Sequence, residues 1–346
     1  MTDIPRTTLA LALREGGYAK GAVPAVPEAL DPFLELREVA LPELAEGQVL
    51  IEVIMSPVNP SDLFFIQGGY GQPRMAGTAA GFEGAGRVIA GAGTAAKALI
   101  GQRVAFLGTR TGAWARHAIS EAALCLPLRE DLRDADGAAL IVNPLTAVAL
   151  VELARANRGP AFVVNAAASQ LGRLIVGLAR DEGLAPIALL RSDRDSAEMT
   201  ALGAQEVLIT TAPDYETRLR EVIGRLKPRV LLDAVGDQGA ADLFFAMPAG
   251  ARWISYGKMS PEAPRLSQMG QFIFMDKKIE GFWLSRWLPA APPERRAALV
   301  AGVQARFADG RWQTRVAAEL GLEQAMSGIL PALARGAGKV MVRPGG

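Results

Sequence analysis

The stretch Ala161-Phe162-Val163-Val164-Asn165-Ala166-Ala167-Ala168-Ser169-Gln170-Leu171-Gly172 decides the fold. It reads as a short apolar strand, a turn of small residues and the start of a helix over Gln170–Glu182. Leu171, Leu174, Ile175 and Leu178 share one face of that helix. Such a turn places helix amides and the helix dipole where a pyrophosphate binds. The spacing G-x-G-x-x-G is not met, because only Gly172 stands at a glycine position. Small side chains at 166–169 still permit close backbone approach, and the Ser169 hydroxyl can donate to a phosphate. A strand–helix turn without a ligand is the alternative reading.

On the C-terminal side, strands and helices alternate. Strand Pro186–Leu190 precedes helix Asp193–Leu202, strand Glu206–Ile209 precedes helix Tyr215–Leu226, and strand Val230–Asp233 precedes helix Gln238–Met247. Strands Arg252–Tyr256 and Lys278–Trp283 follow, then a helix from Pro292-Pro293-Glu294 through Phe307. Repeated β-α-β units with apolar strands predict a parallel sheet covered on both faces, a Rossmann-type domain in an α/β protein. On the N-terminal side a helix is expected over Thr146–Asn157, starting just after Pro144. Before it the pattern is β: Val49–Met55, closed by Pro57 and Pro60, then Gly84–Ala92 and Gln102–Leu107. Gly68, Gly69, Gly71 and Gly77, with Pro73 among them, argue for an ordered loop. These short strands predict a small barrel-like β domain, and the strand-like 338–343 stretch is expected to rejoin it.

A dinucleotide fold usually carries an Asp or Glu about 20 residues after its glycine turn, where it binds the ribose 2′-hydroxyl. Arg191 stands there instead, followed by Ser192 and Asp193. A guanidinium suits a 2′-phosphate, which a carboxylate would repel, so NADPH is the expected cofactor. Asp193 takes the ribose role if the turn is shifted, and an ordinary surface arginine is the bland alternative.

Scarce residues exclude whole classes of chemistry. With one cysteine (Cys125) and one histidine (His117), an intramolecular disulfide and a four-cysteine zinc site are impossible. A catalytic Cys/His zinc site would need both residues plus carboxylates, so no metal is expected. Cys125 reads as a small buried hydrophobe, His117 as structural and Trp114 as packing. The 37 basic and 36 acidic residues are spread evenly, so no charged groove points to nucleic acid or to an anionic membrane. The longest uncharged stretches, Gly137–Val151 and Gly159–Gly172, fall short of a membrane span. Met1–Pro5 lacks a signal-peptide pattern, and a cytoplasmic protein is expected.

Three further segments carry a resemblance: Val58-Asn59-Pro60-Ser61-Asp62 with Ile66-Gln67-Gly68-Gly69-Tyr70-Gly71; Asn143-Pro144-Leu145-Thr146-Ala147; and Tyr256-Gly257-Lys258-Met259 with Gly281-Phe282-Trp283-Leu284-Ser285-Arg286-Trp287. Over about Glu46 to Arg343 the chain resembles the zinc-free medium-chain dehydrogenases/reductases. Within them it is similar to the 2-enoyl thioester reductases of fatty-acid synthesis (mitochondrial trans-2-enoyl-CoA reductase type). The first segment also occurs, less completely, in quinone reductases of the same superfamily.

The resemblance implies a GroES-like catalytic domain over 1–140, completed by 288–346, and a dinucleotide domain over 141–287. It implies NADPH-dependent reduction of the C2=C3 bond of a small substrate carried on CoA or acyl carrier protein, in a homodimer. It makes Tyr70 the catalytic tyrosine. Asn143, the turn Ala168, Ser169, Gln170 and Leu171, and Arg191 to Asp193 with Ser192 would line the cofactor. So would Tyr256, Gly257, Lys258, Met259, Phe282, Trp283, Leu284, Ser285 and Lys339. Gln170 and Lys258 depart from family glycines.

Reduction without a metal requires a hydrogen-bond donor for the developing enolate, and a tyrosine hydroxyl can supply it. Packing on the loop's own core is the other reading of Tyr70. Asn59 and Asp62 read as turn residues shaping that loop. Thr146 either caps its helix or bonds the nicotinamide amide. Trp283 and Trp287 read as core aromatics unless the motif holds. An NADPH:quinone or enone reductase and a non-catalytic NADPH-binding protein are the competing functions.

Overall fold

The computed structural model describes residues 4–157, 159–336 and 338–345. The chain folds as two compact units: the described parts of Met1–Val142 with Val300–Gly346, and of Asn143–Leu299. In chain order the first unit holds β1 (Thr7–Leu13), β2 (Leu34–Ala40), β3 (Gln48–Pro57), α1 (Pro60–Ile66), β4 (Glu83–Gly91), α2 (Thr94–Lys97), β5 (Arg103–Leu107), β6 (His117–Glu121), β7 (Cys125–Pro127) and α3 (Asp134–Ala138). The second follows with α4 (Val142–Arg155), β8 (Ala161–Val164), α5 (Gln170–Asp181), β9 (Ala185–Leu190), α6 (Ser196–Leu202), β10 (Glu206–Ile209), α7 (Tyr215–Leu226), β11 (Val230–Asp233), α8 (Gln238–Ala246), β12 (Arg252–Ser255), α9 (Gly270–Phe274), β13 (Lys278–Gly281) and α10 (Leu284–Ala290). Helix α11 (Pro293–Ala308) leads back to β14 (Val316–Leu320), α12 (Leu322–Ala334) and β15 (Lys339–Val342) of the first unit.

In the first unit, β3 pairs antiparallel with β4, β6 and β15. A strand with neighbours on both edges and cover on both faces is apolar almost throughout, and Val49, Leu50, Ile51, Val53 and Met55 are all buried. Helix α12 closes one core with Leu322, Ala325, Ile329 and Ala332, spaced to lie on one face. Trp114 is fully buried in that core and donates its indole N–H to the Pro57 carbonyl at 3.3 Å. Burial pushes the Cys125 thiol up to about 12.

The second unit is one six-stranded sheet in the order β10-β9-β8-β11-β12-β13, parallel at every pairing. That order is the Rossmann arrangement, with its direction of growth reversing between β8 and β11. β8 and β11 are buried at every residue, as central strands covered on both faces must be.

Several boundaries differ from the sequence expectation. Helix α4 begins at Val142 rather than after Pro144, because proline is tolerated in a first turn and a distant carboxylate caps the helix. Asn59-Pro60-Ser61-Asp62 opens helix α1 rather than only a turn, with Pro60 at its first position. A 3₁₀ turn over Asp193–Asp195 precedes α6. The last strand stops at Gly281, and Trp283 caps α10 instead of extending the sheet. Residues 288–299 fall with the second unit, where Arg295 pairs with Glu152 at 2.5 Å.

Candidate active site

In the second unit the sequence-predicted residues gather at the carboxyl ends of the parallel strands. Ala168–Leu171 follow β8, Arg191–Asp193 follow β9, Tyr256–Met259 follow β12, and Phe282–Ser285 follow β13. Open α/β sheets bind ligands in the crevice at this end, at the switch point. The turn after β8 is built for close approach. A Cβ on Gly172 would lie 2.4 Å from the Ala167 carbonyl oxygen, so only glycine lets α5 pack this near the strand. Ala166 adopts φ 47°, a left-handed conformation that costs an alanine roughly 1–2 kcal/mol. Ser169 caps α5 by accepting the Gly172 N–H at 3.0 Å, and its own hydroxyl hydrogen is directed by whatever acceptor is near. Arg191, Ser192 and Asp193 are exposed.

A latch of buried groups orders the switch point. Asp233, fully buried, accepts the Val235 and Gly236 amides at 2.9 and 3.0 Å and the Trp253 indole N–H at 2.7 Å. The Asn165 amide donates to Asp233, and its oxygen accepts the Ala234 N–H at 2.8 Å. The strand ends of β8, β11 and β12 are thereby tied to one carboxylate. Gly257 fits because a Cβ there would lie 2.7 Å from the Ala234 carbonyl oxygen. The Tyr256 hydroxyl is buried without a hydrogen-bond partner among the described residues. Burial, and then Asp233, raise its pKa above the ordinary tyrosine range, so it stays a neutral O–H donor. A buried donor of this kind is a ready partner for a polar group of a bound molecule. Together with the Gly172 cradle it fits a dinucleotide. Thr146 is buried and Asn143 half-buried in the first turn and a half of α4.

In the first unit, Tyr70 lies half-buried in the loop after α1. Its ring stacks at a tilt on Phe82, with centroids 4.8 Å apart, and meets the edge of Phe65 at 6.4 Å. The ring does pack on its own loop's core, and that packing fixes the direction of its hydroxyl. Beneath the loop, Arg74 is buried and donates to the carbonyls of Ile66, Gly17 and Gly16 at 3.0, 3.1 and 3.4 Å.

A buried charge network lies under α1. Asp62 accepts the Asn59 N–H at 2.7 Å and the Phe82 N–H at 2.8 Å. Glu83 accepts the Asn59 side-chain N–H at 2.9 Å and the Ile141 and Val142 amides at 3.0 and 2.9 Å. Lys339 donates to the Asn59 side-chain oxygen. Burial raises Asp62 to about 7 against the two amides it accepts, and raises Glu83 against Val142 and Lys339. Burial lowers Lys339, with Glu83 and Asp62 opposing the shift.

Lys339, assigned by resemblance to the cofactor, therefore sits in the first unit with its ammonium committed to Asn59, whereas the other assigned residues lie in the second. Glu83, Asn165 and Asp233 were missed by sequence reading. The available signal was a single carboxylate in an otherwise apolar strand or at its end, where burial demands a partner. His117 is half-buried, with its ring 3.4 Å from the Thr8 hydroxyl, and burial lowers its pKa.

The alcohol dehydrogenase GroES-like domain model matches residues 45–130. A Mesorhizobium loti protein solved under the name NADPH:quinone reductase is 45% identical, with a TM-score of 0.94 over 99% of this chain and 100% of that one. The mitochondrial enoyl-[acyl-carrier-protein] reductase of Arabidopsis thaliana is 30% identical over 260 residues, 73% of this chain and 69% of the relative. The Candida tropicalis enoyl thioester reductase Etr1p, solved with NADP and crotonyl-CoA, shares the fold with a TM-score of 0.78 at 20% identity, over 97% and 99% of the two chains. The chain belongs to the medium-chain dehydrogenase/reductase superfamily, close to its 2-enoyl thioester reductases.

Proposed function

We propose that this protein is an NADPH-dependent oxidoreductase that reduces the C2=C3 bond of a 2-enoyl thioester. The observation that carries the cofactor half is the set of residues at the sheet's switch point, with Ser169 at a helix N-terminus, Gly172 allowing close approach and Arg191 exposed at the end of β9. NADPH held there would supply the hydride that C3 takes. The Tyr70 hydroxyl donates to the thioester oxygen as negative charge develops there and can serve as the source of the proton that C2 takes. Stacking on Phe82 and Phe65 holds that hydroxyl in direction, and the Arg74 clamp holds its loop. Asn165 and Asp233 fix the strand ends beside the residues proposed to hold the cofactor.

A quinone is the rival acceptor, favoured by the name of the Mesorhizobium protein; the curated relatives named enoyl-[acyl-carrier-protein] reductases and the Gly281–Trp287 segment favour the thioester. NADPH oxidation with crotonyl-CoA, longer 2-enoyl-CoA, enoyl-acyl carrier protein and a quinone panel separates them. Turnover of quinones alone overturns the thioester reading; tight NADPH binding with no turnover on any substrate favours a non-catalytic binder. Tyr70→Phe is expected to lower turnover by roughly 100-fold with NADPH affinity unchanged, and undiminished turnover removes Tyr70 from the reaction.

We propose self-association through the outer edge of β13, where Ile279 is 41% exposed. Among the described residues no helix is long and apolar enough to cross a membrane. The cytoplasm is the proposed compartment. The Arabidopsis relative is mitochondrial, so fractionation of the source cell decides.

A further inference from the structure

Arg173 stands one residue beyond the glycine that lets α5 approach β8, on the first turn of the helix assigned to the pyrophosphate. Its guanidinium reaches across to the start of α6. Nε donates to Glu198 at 3.0 Å, and one terminal nitrogen donates to Glu198 at 3.1 Å and to Asp195 at 2.7 Å. The arginine side chain is only 15% exposed, and the two carboxylates 28% each. Both carboxylates belong to the segment that runs directly on from Arg191-Ser192-Asp193, four and seven residues past Arg191.

The charges of this corner explain why the bridge matters. Arg191, Arg194 and Arg173 contribute three positive charges, and Asp193, Asp195 and Glu198 three negative ones, which cancel. Without Arg173 the remaining five leave one net negative charge. A phosphate monoester carries nearly two negative charges at neutral pH and would meet that excess. A ribose 2′-hydroxyl would not feel it.

We propose that Arg173 is a specificity-determining residue for the 2′-phosphate of NADPH, acting by offsetting the negative charge of Asp195 and Glu198 beside the loop that carries Arg191. It does not touch the phosphate itself. The geometry adds rigidity to charge: a bidentate guanidinium ties the phosphate-binding helix to Glu198 of α6, and a third bond reaches Asp195 in the turn that follows the Arg191 loop. The proposal rests on reading Arg191–Asp193 as the 2′-phosphate loop.

Calorimetric titration of the full chain with 2′,5′-ADP and with 5′-AMP tests it, because the two probes differ only by the phosphate in question. In Arg173→Met, affinity for 2′,5′-ADP is expected to fall about tenfold, while 5′-AMP changes by less than about twofold. Adding Asp195→Asn and Glu198→Gln to that variant should restore most of the loss. Equal weakening of both probes, or no rescue, overturns the proposal in favour of a plain helix-to-helix strut. Should Arg173→Met fold poorly, Asp195→Asn with Glu198→Gln in the native Arg173 background gives a second test. That variant should bind 2′,5′-ADP more tightly with 5′-AMP unchanged, and no tightening sinks the idea. Arg191→Ala separates the two readings. If it leaves 2′,5′-ADP affinity intact, the loop assignment fails; if it weakens binding and Arg173→Met does not, only the role of Arg173 fails.

Discussion

Each unit buries a lysine, and the two are held by different means. In the first unit Lys339 donates to Asn59 and is attracted by Glu83 and Asp62, so its charge is met by charge. In the second, Lys277 donates to the carbonyls of Phe244 and Phe245, each at 2.9 Å, and lies 5.3 Å from the Phe244 ring centroid. It caps the carboxyl end of α8 with dipoles alone. Both ammonium groups are pushed down by burial, but only Lys339 has carboxylates opposing the push. A charge held by dipoles supports one helix end, whereas a charge held by carboxylates ties together residues far apart in sequence. The network in the first unit joins α1, the start of β4, the amides of Ile141 and Val142, and β15, and so fixes the base of the loop that carries Tyr70.

The largest effect is expected from breaking that network at its most connected member. Glu83→Ala removes the acceptor of three donors and leaves Lys339 without its strongest counter-charge. Losing one partner of a buried, hydrogen-bonded charge network costs about 3–5 kcal/mol. Urea unfolding of the first unit should show it, and hydrogen exchange should quicken at the Ile141 and Val142 amides. A cost below about 1 kcal/mol would mean that the network contributes little to holding the first unit together.

Removing the cation instead gives a smaller effect with a pH signature. Lys339→Met leaves Asp62 and Glu83 buried without a positive neighbour, at about 2–3 kcal/mol. Asp62 already titrates near 7 when folded and near 3.8 when unfolded, and losing Lys339 raises the folded value further. A carboxyl whose folded pKa is raised favours folding most below its unfolded pKa, and that gain is lost as pH rises through the folded one. The variant should therefore lag the parent more at pH 8 than at pH 6. A loss that does not vary across this range would show that Asp62 does not take up the proton.

The same contrast separates what the sequence made legible from what it did not. The Rossmann sheet was readable because its signals are local: apolar runs at β8, β9 and β11, helix periodicity in α5, and an arginine at the expected distance from Gly172. Helix α1 was not, because seven residues opening on Asn-Pro-Ser-Asp look like a turn until Asp62 is seen bonding back to Asn59. The start of α4 was placed four residues late, because its cap is Glu83, 59 residues upstream of Val142. The residues proposed to hold the cofactor in the second unit were legible as strand ends, and they do follow β8, β9, β12 and β13. Lys339 was not, since its surroundings come from α1 and β4, far away in the chain.

The smallest expected effect sharpens the comparison from the other side. Burial pushes Lys277 down to about 8 from 10.5, with no carboxylate among the described residues opposing it. Between those values the unfolded chain holds a proton that the folded chain has released, so stability rises with pH across that window. Lys277→Met removes the linkage and should show a flatter profile from pH 8 to 10.5. The parent should gain on the variant by on the order of 1 kcal/mol over that range, since a pKa moved by one corresponds to about 1.4 kcal/mol. Chemical denaturation at half-unit pH steps measures it. Parallel profiles would mean that two carbonyls and a ring hold an ammonium as firmly as Glu83 and Asp62 hold Lys339, and the contrast between the two units would vanish.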